Sequence, residues 1–293
     1  MQDNTAKIYI IRDEDEPIEG PYWSSHVRIL VDAAKILQIP LCESSIADTY
    51  LISQMQPWDL ILYRPTYLGA VRTNFGTKIR QLPGFVINKR GMDLGCKQEF
   101  AQFCKEYQIP TPKTWLPQEF LFARNDENIP KDCRFVIKKT RSSQGNGVFG
   151  VFDMEACIQK ISTMKTDIII QEFCALEKPI YDIRLMMVGR KVVGAMKRVL
   201  HSDDPVEFRS NLALGTSSPE EWHPVDDVIL NAQNIQEKSG LDWVGLDVIL
   251  YQDRYLFLEC NMFPGLNGIS QICPNIARDV LISLLDIGRK GYE

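Results

Sequence analysis

The feature that most constrains this chain is a pair of apolar segments near its C-terminus, each of which carries an isolated carboxylate. The segments VGLDVILY and YLFLECN flank a short polar turn around Gln252, Asp253 and Arg254. Two apolar runs joined by a short polar link are typical of a β-hairpin. With the turn centred on Asp253, Asp247 lies six positions before it and Glu259 six positions after it. The two carboxylates are therefore predicted to face each other across the strand ladder.

This pairing calls for a positive group between the carboxylates. Like charges that lie directly opposite each other on one face of a sheet repel, and Asn261 projects from the same face as Glu259. Mg²⁺ in phosphate-transfer sites binds one or two carboxylates together with phosphate oxygens. We therefore predict a metal site formed by Asp247, Glu259 and Asn261. The alternative is that one of these side chains faces solvent, although polar residues inside such apolar runs need a reason.

Composition narrows the class of protein. The chain has 293 residues, 45% of them hydrophobic, which is enough for two or three packed subdomains. Its net charge of -5 does not favour a nucleic-acid partner. No apolar run reaches the length of a membrane span, and the N-terminus lacks the pattern of a signal peptide. The eight cysteines form no C-x-x-C pair, so we expect reduced thiols in a cytoplasmic protein without a membrane partner.

The first part of the chain alternates between strands and helices. Strands are predicted over 7–11, 59–64 and 85–88, with an amphipathic helix over 24–37. This alternation predicts a small parallel α/β layer.

Strand pairs and helices are mixed in the rest of the chain, which predicts an α+β arrangement there. A helix capped by Asp93 is expected to run to about Tyr107, followed by an extended connector containing prolines. The further predicted strands are 134–139, 148–152, 167–173, 182–189, 191–199, 245–251 and 255–261, and the further helices are 154–164, 225–239 and a final one to about Asp286.

A glycine-rich segment from Arg141 to Gly150 follows one of these strands. Gly145, Gly147 and Gly150 match the spacing G-x-G-x-x-G, but the next residues, VFGVF, favour a strand, whereas a dinucleotide-binding loop leads into a helix. The segment is better interpreted as a hairpin whose backbone N–H groups cover phosphates. An ordinary tight hairpin is an equal alternative. Lys138 precedes the loop and could neutralise phosphate charge, unless it is a solvated lysine at a strand end.

Several arginines lie in the last third of the chain. Asp182 and Arg184 are two positions apart and share one face of a strand, Arg198 ends the next strand, and Arg209 follows a polar loop. A single arginine could form a weak surface ion pair. Several arginines beside a two-carboxylate site instead suggest binding of phosphate or carboxylate groups and stabilisation of a transferred phosphoryl group.

In this order the motifs resemble the ATP-grasp superfamily and, within it, the RimK-like glutamate ligases that modify ribosomal protein tails. The matching segments are CK (96–97), FVIK (135–138), SSQGNGV (142–148), IIIQEF (168–173), DIR (182–184), FRSN (208–211), GLDVI (245–249) and ECN-x-x-PGLNG (259–268). The resemblance implies an ATP-grasp fold behind a small Rossmann-like pre-ATP-grasp domain. It implies domains over 1–92, over 93–172 for the central lid subdomain, and over 173–293 for the C-terminal subdomain with the metal site.

The resemblance also implies roles for single residues. ATP would be bound by Lys97 and Lys138 at its phosphates, by the lid residues Ser142, Ser143, Gln144, Gly145 and Gly147, by Glu172 and Phe173 at the adenine hinge, and by Asp182 at the ribose. Arg209, Ser210 and Asn211 would line the nucleotide and transfer site, and Arg184 and Arg198 would face the acyl substrate. The predicted catalytic set is Arg184, Arg198, Arg209 and Asn211, and Asp247, Glu259 and Asn261 would hold one or two Mg²⁺ ions, or Mn²⁺.

The function that follows is an ATP-dependent carboxylate–amine ligase that forms an amide through an acyl phosphate. Around the arginines the sequence departs from the relatives, with the acidic stretch His201-Ser-Asp-Asp-Pro-Val-Glu before F-R-S-N. The substrates are therefore predicted only as an amino acid joined to an amino acid, a peptide or a protein tail. A dimer or tetramer is a family-level expectation. The alternatives are a kinase on the same scaffold and a non-catalytic nucleotide-binding protein.

Overall fold

Three β-sheets organise the part of the chain that the structure describes. In this computed structural model the structure describes residues 6–12, 21–64, 74–123, 134–142, 145–164, 167–174, 178–204 and 207–292. One sheet is formed by the N-terminal part of the chain, one by the middle and one by the C-terminal part. No helix within these ranges is long and apolar enough to cross a membrane.

The N-terminal sheet is parallel and has the strand order β2-β1-β3-β4. Its elements are β1 (Ile8–Arg12), α1 (Pro21–Ile36), β2 (Leu41–Ser45), α2 (Thr49–Ser53), β3 (Leu60–Arg64), α3 (Asn74–Arg80) and β4 (Phe85–Val86). The predicted parallel layer is therefore present. Strand β2 and helices α2 and α3 were not predicted, because they are too short to show a period. Strand β4 was predicted to extend two residues too far, to Asn88. That strand ends at Val86 because Asn88 adopts a left-handed conformation, with a φ of 57°.

The middle sheet, which we call the lid sheet, is antiparallel and has the order β5-β8-β6-β7. Its segment contains a 3-10 turn (Met92–Gly95), α4 (Lys97–Glu106), β5 (Thr114–Trp115), α5 (Pro117–Ala123), β6 (Phe135–Lys139), β7 (Val148–Val151), α6 (Met154–Thr163) and β8 (Ile168–Glu172). The prediction that Asp93 caps the helix is wrong. Asp93 lies inside the 3-10 turn, and α4 begins at Lys97 after Cys96.

The C-terminal sheet is antiparallel and has the order β11-β10-β9-β12-β13. Its elements are β9 (Tyr181–Val188), β10 (Lys191–Leu200), β11 (Ser217–Glu221), α7 (Asp226–Ser239), β12 (Trp243–Tyr251), β13 (Arg254–Asn261) and α8 (Ile276–Tyr292), with 3-10 turns over Leu212–Leu214 and Ile269–Gln271. The edge strand β11 was not predicted, and α8 continues beyond Asp286. This sheet carries most of the predicted site.

The N-terminal and C-terminal sheets share their hydrophobic cores. Tyr9 and Ile61 belong to the same buried cluster as Leu246 and Phe257. The lid sheet has its own core, which is built around Phe120, Phe135, Ile137, Cys157 and Ile170. Helix α4 contributes Phe100, Phe103 and Cys104 to the shared core. The division into 1–92, 93–172 and 173–293 stays a prediction, and packing groups α4 with the C-terminal sheet.

Asn88 fastens these two sheets together next to the carboxylate hairpin. Its amide nitrogen donates to the carbonyl oxygens of Trp243, at 2.7 Å, and Met262, at 3.0 Å. Its amide oxygen accepts from the backbone N–H groups of Asp242 and Trp243, at 2.8 and 2.9 Å. Because this buried side chain is satisfied on both sides, it fixes where the chain leaves β13.

Candidate active site

The carboxylate hairpin has the predicted pairing. Asp247 lies opposite Glu259, and Gly245 lies opposite Asn261. The turn consists of Gln252 and Asp253 alone, with φ angles of 48° and 60°, so it is centred half a residue earlier than predicted. A bulge next to Asp247 inserts one extra residue in β13 and restores the expected pairing.

Asp247 is buried between two arginines. Arg184 donates to both of its carboxylate oxygens, and the bond from Nη2 to Oδ2 measures 3.0 Å. Arg198 Nη2 lies 2.9 Å from the same Oδ2 atom. Burial alone would raise the pKa of Asp247, but the two guanidinium groups outweigh it and hold that pKa below its usual range. The two arginines therefore stabilise the ionised form of Asp247.

Arg198 also pairs with Asp182 on the neighbouring strand. Its Nε and Nη2 atoms lie 2.5 and 2.6 Å from the two oxygens of Asp182, a bidentate arrangement. Asp182 and Asp247 line a cavity between the lid sheet and the C-terminal sheet, whereas Arg184 and Arg198 lie behind them, 8% and 4% exposed. A contact of these arginines with an acyl substrate stays a prediction. In this arrangement they act on the cavity through the carboxylates that they bind.

Glu259 has a different partner. Lys97 Nζ lies 3.1 Å from Glu259 Oε2 and donates to the backbone oxygen of Ser142 at 2.8 Å. Asn261 donates to Glu259 at 3.4 Å. Lys97 thus joins the hairpin to the start of the glycine-rich loop.

The oxygen atoms of the hairpin fit a hard divalent cation. Two carboxylates and one amide lie on one face, which is the donor type that Mg²⁺ prefers. Within the part of the chain that the structure describes, no three His, Cys, Asp or Glu side chains group to hold a metal ion. A metal here would therefore depend on the two carboxylates, Asn261 and oxygen atoms supplied by a substrate.

A cavity of about 300 Å³ lies between the lid sheet and the C-terminal sheet. It collects most of the residues that the sequence predicted. Those that line it are Lys97, Lys138, Ser142, Gly145, Glu172, Phe173, Asp182, Arg209, Ser210, Asn211, Asp247 and Glu259. Gly147, Arg184, Arg198 and Asn261 lie outside the lining, and Ser143 and Gln144 lie outside the described residues.

Lys138 lies on the cavity wall formed by β6. Its side chain is buried, 8% exposed, and donates to Gln171 Oε1 at 2.7 Å. Burial lowers the pKa of Lys138 to about 8. A buried lysine with a neutral partner keeps its charge available for an anionic ligand.

The glycine-rich loop is a hairpin between β6 and β7. Gly147 has a φ of 73°, and a Cβ atom there would lie 2.7 Å from the Lys139 side chain, so the position requires glycine. The backbone N–H of Lys139 donates to the carbonyl of Gly147 at 2.9 Å. A strand follows the loop, as predicted, which agrees with a phosphate-covering hairpin and not with a dinucleotide-binding turn.

The segment 207–211 lies against this hairpin and also lines the cavity. Glu207 accepts hydrogen bonds from the backbone N–H groups of Phe208 and Arg209, at 3.0 and 2.8 Å, and from the Arg209 guanidinium, at 2.9 and 2.6 Å. These bonds, led by the guanidinium, hold the pKa of Glu207 below its ordinary value. Arg209 is thus held in place by its own loop.

Two residues that the sequence did not single out shape the site. Gln171 and Glu207 both line the cavity, and each binds a predicted site residue. Gln171 is a polar residue inside the apolar run IIIQEF, the signal that identified Asp247, and it could have been found in the same way. Glu207 lies in an irregular loop whose sequence carries no comparable signal.

Comparison with known proteins agrees with the resemblance found in the sequence. The model of the RimK-like ATP-grasp domain matches residues 96–284. A probable alpha-L-glutamate ligase of Vibrio vulnificus is 30% identical over 246 residues, which cover 76% of this chain and 74% of the relative.

Solved structures share the fold at low identity. A RimK domain ATP-grasp protein from Sphaerobacter thermophilus has a TM-score of 0.63 at 15% identity, covering 95% of this chain and 99% of that one. A RiPP-associated ATP-grasp ligase from Chryseobacterium gregarium, bound to ADP and to a leader and core peptide, has a TM-score of 0.66 at 14% identity, covering 96% and 97%. Both likenesses concern the fold alone.

Proposed function

The chain belongs to the RimK-like ATP-grasp family of ligases, and we propose that it joins an amino acid to an amino acid, a peptide or a protein tail. The observation that carries this proposal is the cavity itself. It brings Lys97 and Lys138 together with the carboxylates Asp247 and Glu259, beside the hinge residues Glu172 and Phe173. Cations for phosphates and carboxylates for a metal thus share one partly enclosed cavity.

The proposed reaction has two steps. A substrate carboxylate oxygen attacks the γ-phosphorus of ATP, the bond from that phosphorus to the bridging oxygen breaks, and ADP leaves. The nitrogen of the amine then attacks the carbonyl carbon of the acyl phosphate. The carbon–oxygen bond to phosphate breaks, inorganic phosphate leaves with the electron pair, and the nitrogen loses a proton as the amide forms. Neither step needs a nucleophile from the protein.

In this scheme, side chains of the protein position the phosphates and balance their negative charge. Lys97 and Lys138 bind the phosphates, and Arg209, held by Glu207, faces the transferred group. Preorganised charges of this kind need no rearrangement at the moment of reaction, which makes them effective in a partly enclosed site. Asp247, Glu259 and Asn261 would hold Mg²⁺, which when bound supplies positive charge against the phosphate oxygens.

The relatives indicate the class of the substrates and not their identity. The Vibrio relative is named a glutamate ligase, and the Chryseobacterium structure holds a leader and core peptide. We therefore propose an amino acid as one substrate and an amino acid or peptide as the other. Measuring ADP release over a panel of amino acids and short peptides, with products read by mass, tests this. A stable phosphorylated product without an amide would favour the kinase, and binding of Mg·ATP without ADP release would favour a non-catalytic protein.

The metal assignment is tested by Glu259→Gln. Turnover should fall at least about a hundredfold, because a neutral amide replaces a charged metal ligand, while the thermal unfolding midpoint falls by only a few degrees. Glu220→Gln, at an exposed position on β11 of the same sheet, is the matched control and should keep wild-type activity. Unchanged activity of Glu259→Gln would refute the assignment.

A further inference from the structure

Among the residues that the structure describes, the Lys138 ammonium has one hydrogen-bond partner, and that partner is neutral. The acceptor is the side-chain oxygen of Gln171, itself only 3% exposed. A buried ammonium without a carboxylate partner is costly unless its protons are accepted by well-placed dipoles. Gln171 therefore sets where the lysine charge lies.

Gln171 is held by a further chain of hydrogen bonds. Its amide nitrogen donates to the Thr114 hydroxyl at 2.9 Å, and that hydroxyl donates to the carbonyl of Pro112 at 2.8 Å. Every donor in this chain points away from the ammonium. Bonds aligned in this way polarise one another, so each link strengthens the next.

This series of hydrogen bonds ends in the segment 110–112, which is hydrogen-bonded to the carboxylate hairpin. The backbone N–H of Phe257 donates to the carbonyl of Pro110 at 2.8 Å, and the Thr111 hydroxyl donates to the carbonyl of Phe257 at the same distance. Phe257 lies two residues before Glu259 on β13. Continuous hydrogen bonds and backbone thus connect the strand of the carboxylate to the lysine of the lid sheet.

We propose that Gln171, supported by Thr114, is a positioning residue that holds the Lys138 ammonium at the phosphates without neutralising it. This inference rests on the proposed function, because it takes Lys138 as a ligand of the nucleotide phosphates. A glutamate in the same place would form an ion pair and compete with phosphate for the lysine. An apolar side chain would leave the ammonium without an acceptor.

The role of Gln171 can be measured through the pH dependence of Mg·ADP binding, because Lys138 titrates under the influence of nearby titratable groups. They are Lys97 on α4, Asp247 on β12, Glu259 on β13 and Cys174 after β8. Burial lowers the pKa of Lys138 to about 8, so the free protein should lose this cation as the pH rises through that value. Wild-type affinity for Mg·ADP should therefore be level below pH 8 and weaken above it.

The experiment is calorimetric titration of the full chain with Mg·ADP from pH 6.5 to 9. Gln171→Leu should raise the Kd about tenfold at pH 7, the size of a lost hydrogen bond to a charged group, and move the onset of weakening to lower pH. Gln171→Glu should also raise the Kd but move the onset to higher pH, because a carboxylate favours the protonated lysine. Opposite shifts are not expected from a purely structural role.

Thr114 provides a second, milder variant. Thr114→Val breaks the chain one link from the lysine and should raise the Kd about threefold, whereas Thr114→Ser keeps the hydroxyl and should match the wild type. Gln159→Leu, at an exposed position on α6 of the same lid, is the matched control and should change nothing.

Two outcomes separate this inference from the proposed function. If Lys138→Met weakens Mg·ADP binding while both Gln171 variants keep the wild-type Kd within twofold and the wild-type pH dependence, the positioning role is wrong. If Lys138→Met itself leaves the Kd unchanged, then the assignment of Lys138 to the phosphates has failed. In that case the role of Gln171 falls with it.

Discussion

At the scale of single residues, the site is a buried alternation of charges. Asp182, Arg198, Asp247 and Arg184 form a continuous ion-paired row across β9, β10 and β12. Asp182 and Asp247, which line the cavity, thus each have a guanidinium behind them. Arg184 and Arg198 hold the pKa of Asp247 below its usual range, whereas burial raises the pKa of Asp182 in spite of its pairing with Arg198.

We expect Asp247→Asn to destabilise the protein by ~3–5 kcal/mol, because it leaves two buried guanidinium groups without their shared carboxylate. The free energy of unfolding in urea measures this. The Glu259 side chain is 22% exposed, so Glu259→Gln should lower the free energy of unfolding by only about 1–2 kcal/mol. Equal stability of Asp247→Asn and the wild type would show that the ion-paired row does not support the fold.

At the scale of elements, the lid hairpin contacts the segment 207–211 through its glycines. A Cβ atom on Gly150 would lie 2.9 Å from the Phe208 ring, and one on Gly145 would lie 3.0 Å from Asn211. The Phe208 ring also packs against Phe173, edge to face at 5.3 Å between centroids. Close approach of the lid to the residues around Arg209 therefore depends on the absence of side chains on the hairpin.

Gly150→Ala should raise the KM for ATP about fivefold, because the added methyl group meets a ring that cannot move freely; overpacking of this kind costs ~1 kcal/mol or more. Phe208→Leu in the same chain should recover most of that loss by making room. Initial rates of the two single variants and the double variant form a mutant cycle. Strictly additive effects would mean that the two positions do not interact when the lid covers ATP.

At the scale of the whole molecule, two sheets share one interior while the lid sheet has its own. Cys104 on α4 is fully buried in the shared core, and Cys157 on α6 is fully buried in the core of the lid. Burial raises the pKa of both thiols to about 12. Both cores therefore contain groups that stay protonated in the folded state at pH values where an exposed thiol ionises.

This predicts a loss of stability in alkali. The folded-state pKa is raised above the ordinary value of 9.0, so between pH 9 and 12 the unfolded chain releases protons that the folded chain keeps. Each such thiol should lower the free energy of unfolding by up to ~1.4 kcal/mol per pH unit in that window. Lys138, whose pKa is lowered, acts in the opposite sense above pH 8.

Cys104→Ala isolates the effect of one thiol, because the contribution of Lys138 is common to both proteins. Urea unfolding between pH 8 and 11 should show a shallower decline for the variant than for the wild type. Parallel curves would mean that Cys104 ionises equally in the folded and unfolded chains.

The sequence by itself determined the parts of the site that are local in the chain. The hairpin places Asp247 opposite Glu259 within one pair of neighbouring strands, and an apolar run with a single polar residue shows which face is buried. The glycine-rich loop is likewise a local hairpin between β6 and β7. Such features follow from strand alternation and turn chemistry, which the order of residues specifies directly.

The tertiary structure alone decided which charges pair. Arg184 meets Asp247 across 63 residues of chain, Lys138 meets Gln171 across 33, and Gln171 meets Thr114 across 57. Strand order and sheet packing set these meetings, and several sheet arrangements are compatible with the same local pattern. The sequence therefore supplied the candidate residues of a metal and phosphate site, and the fold determined which of them line the cavity and which hold the others in place.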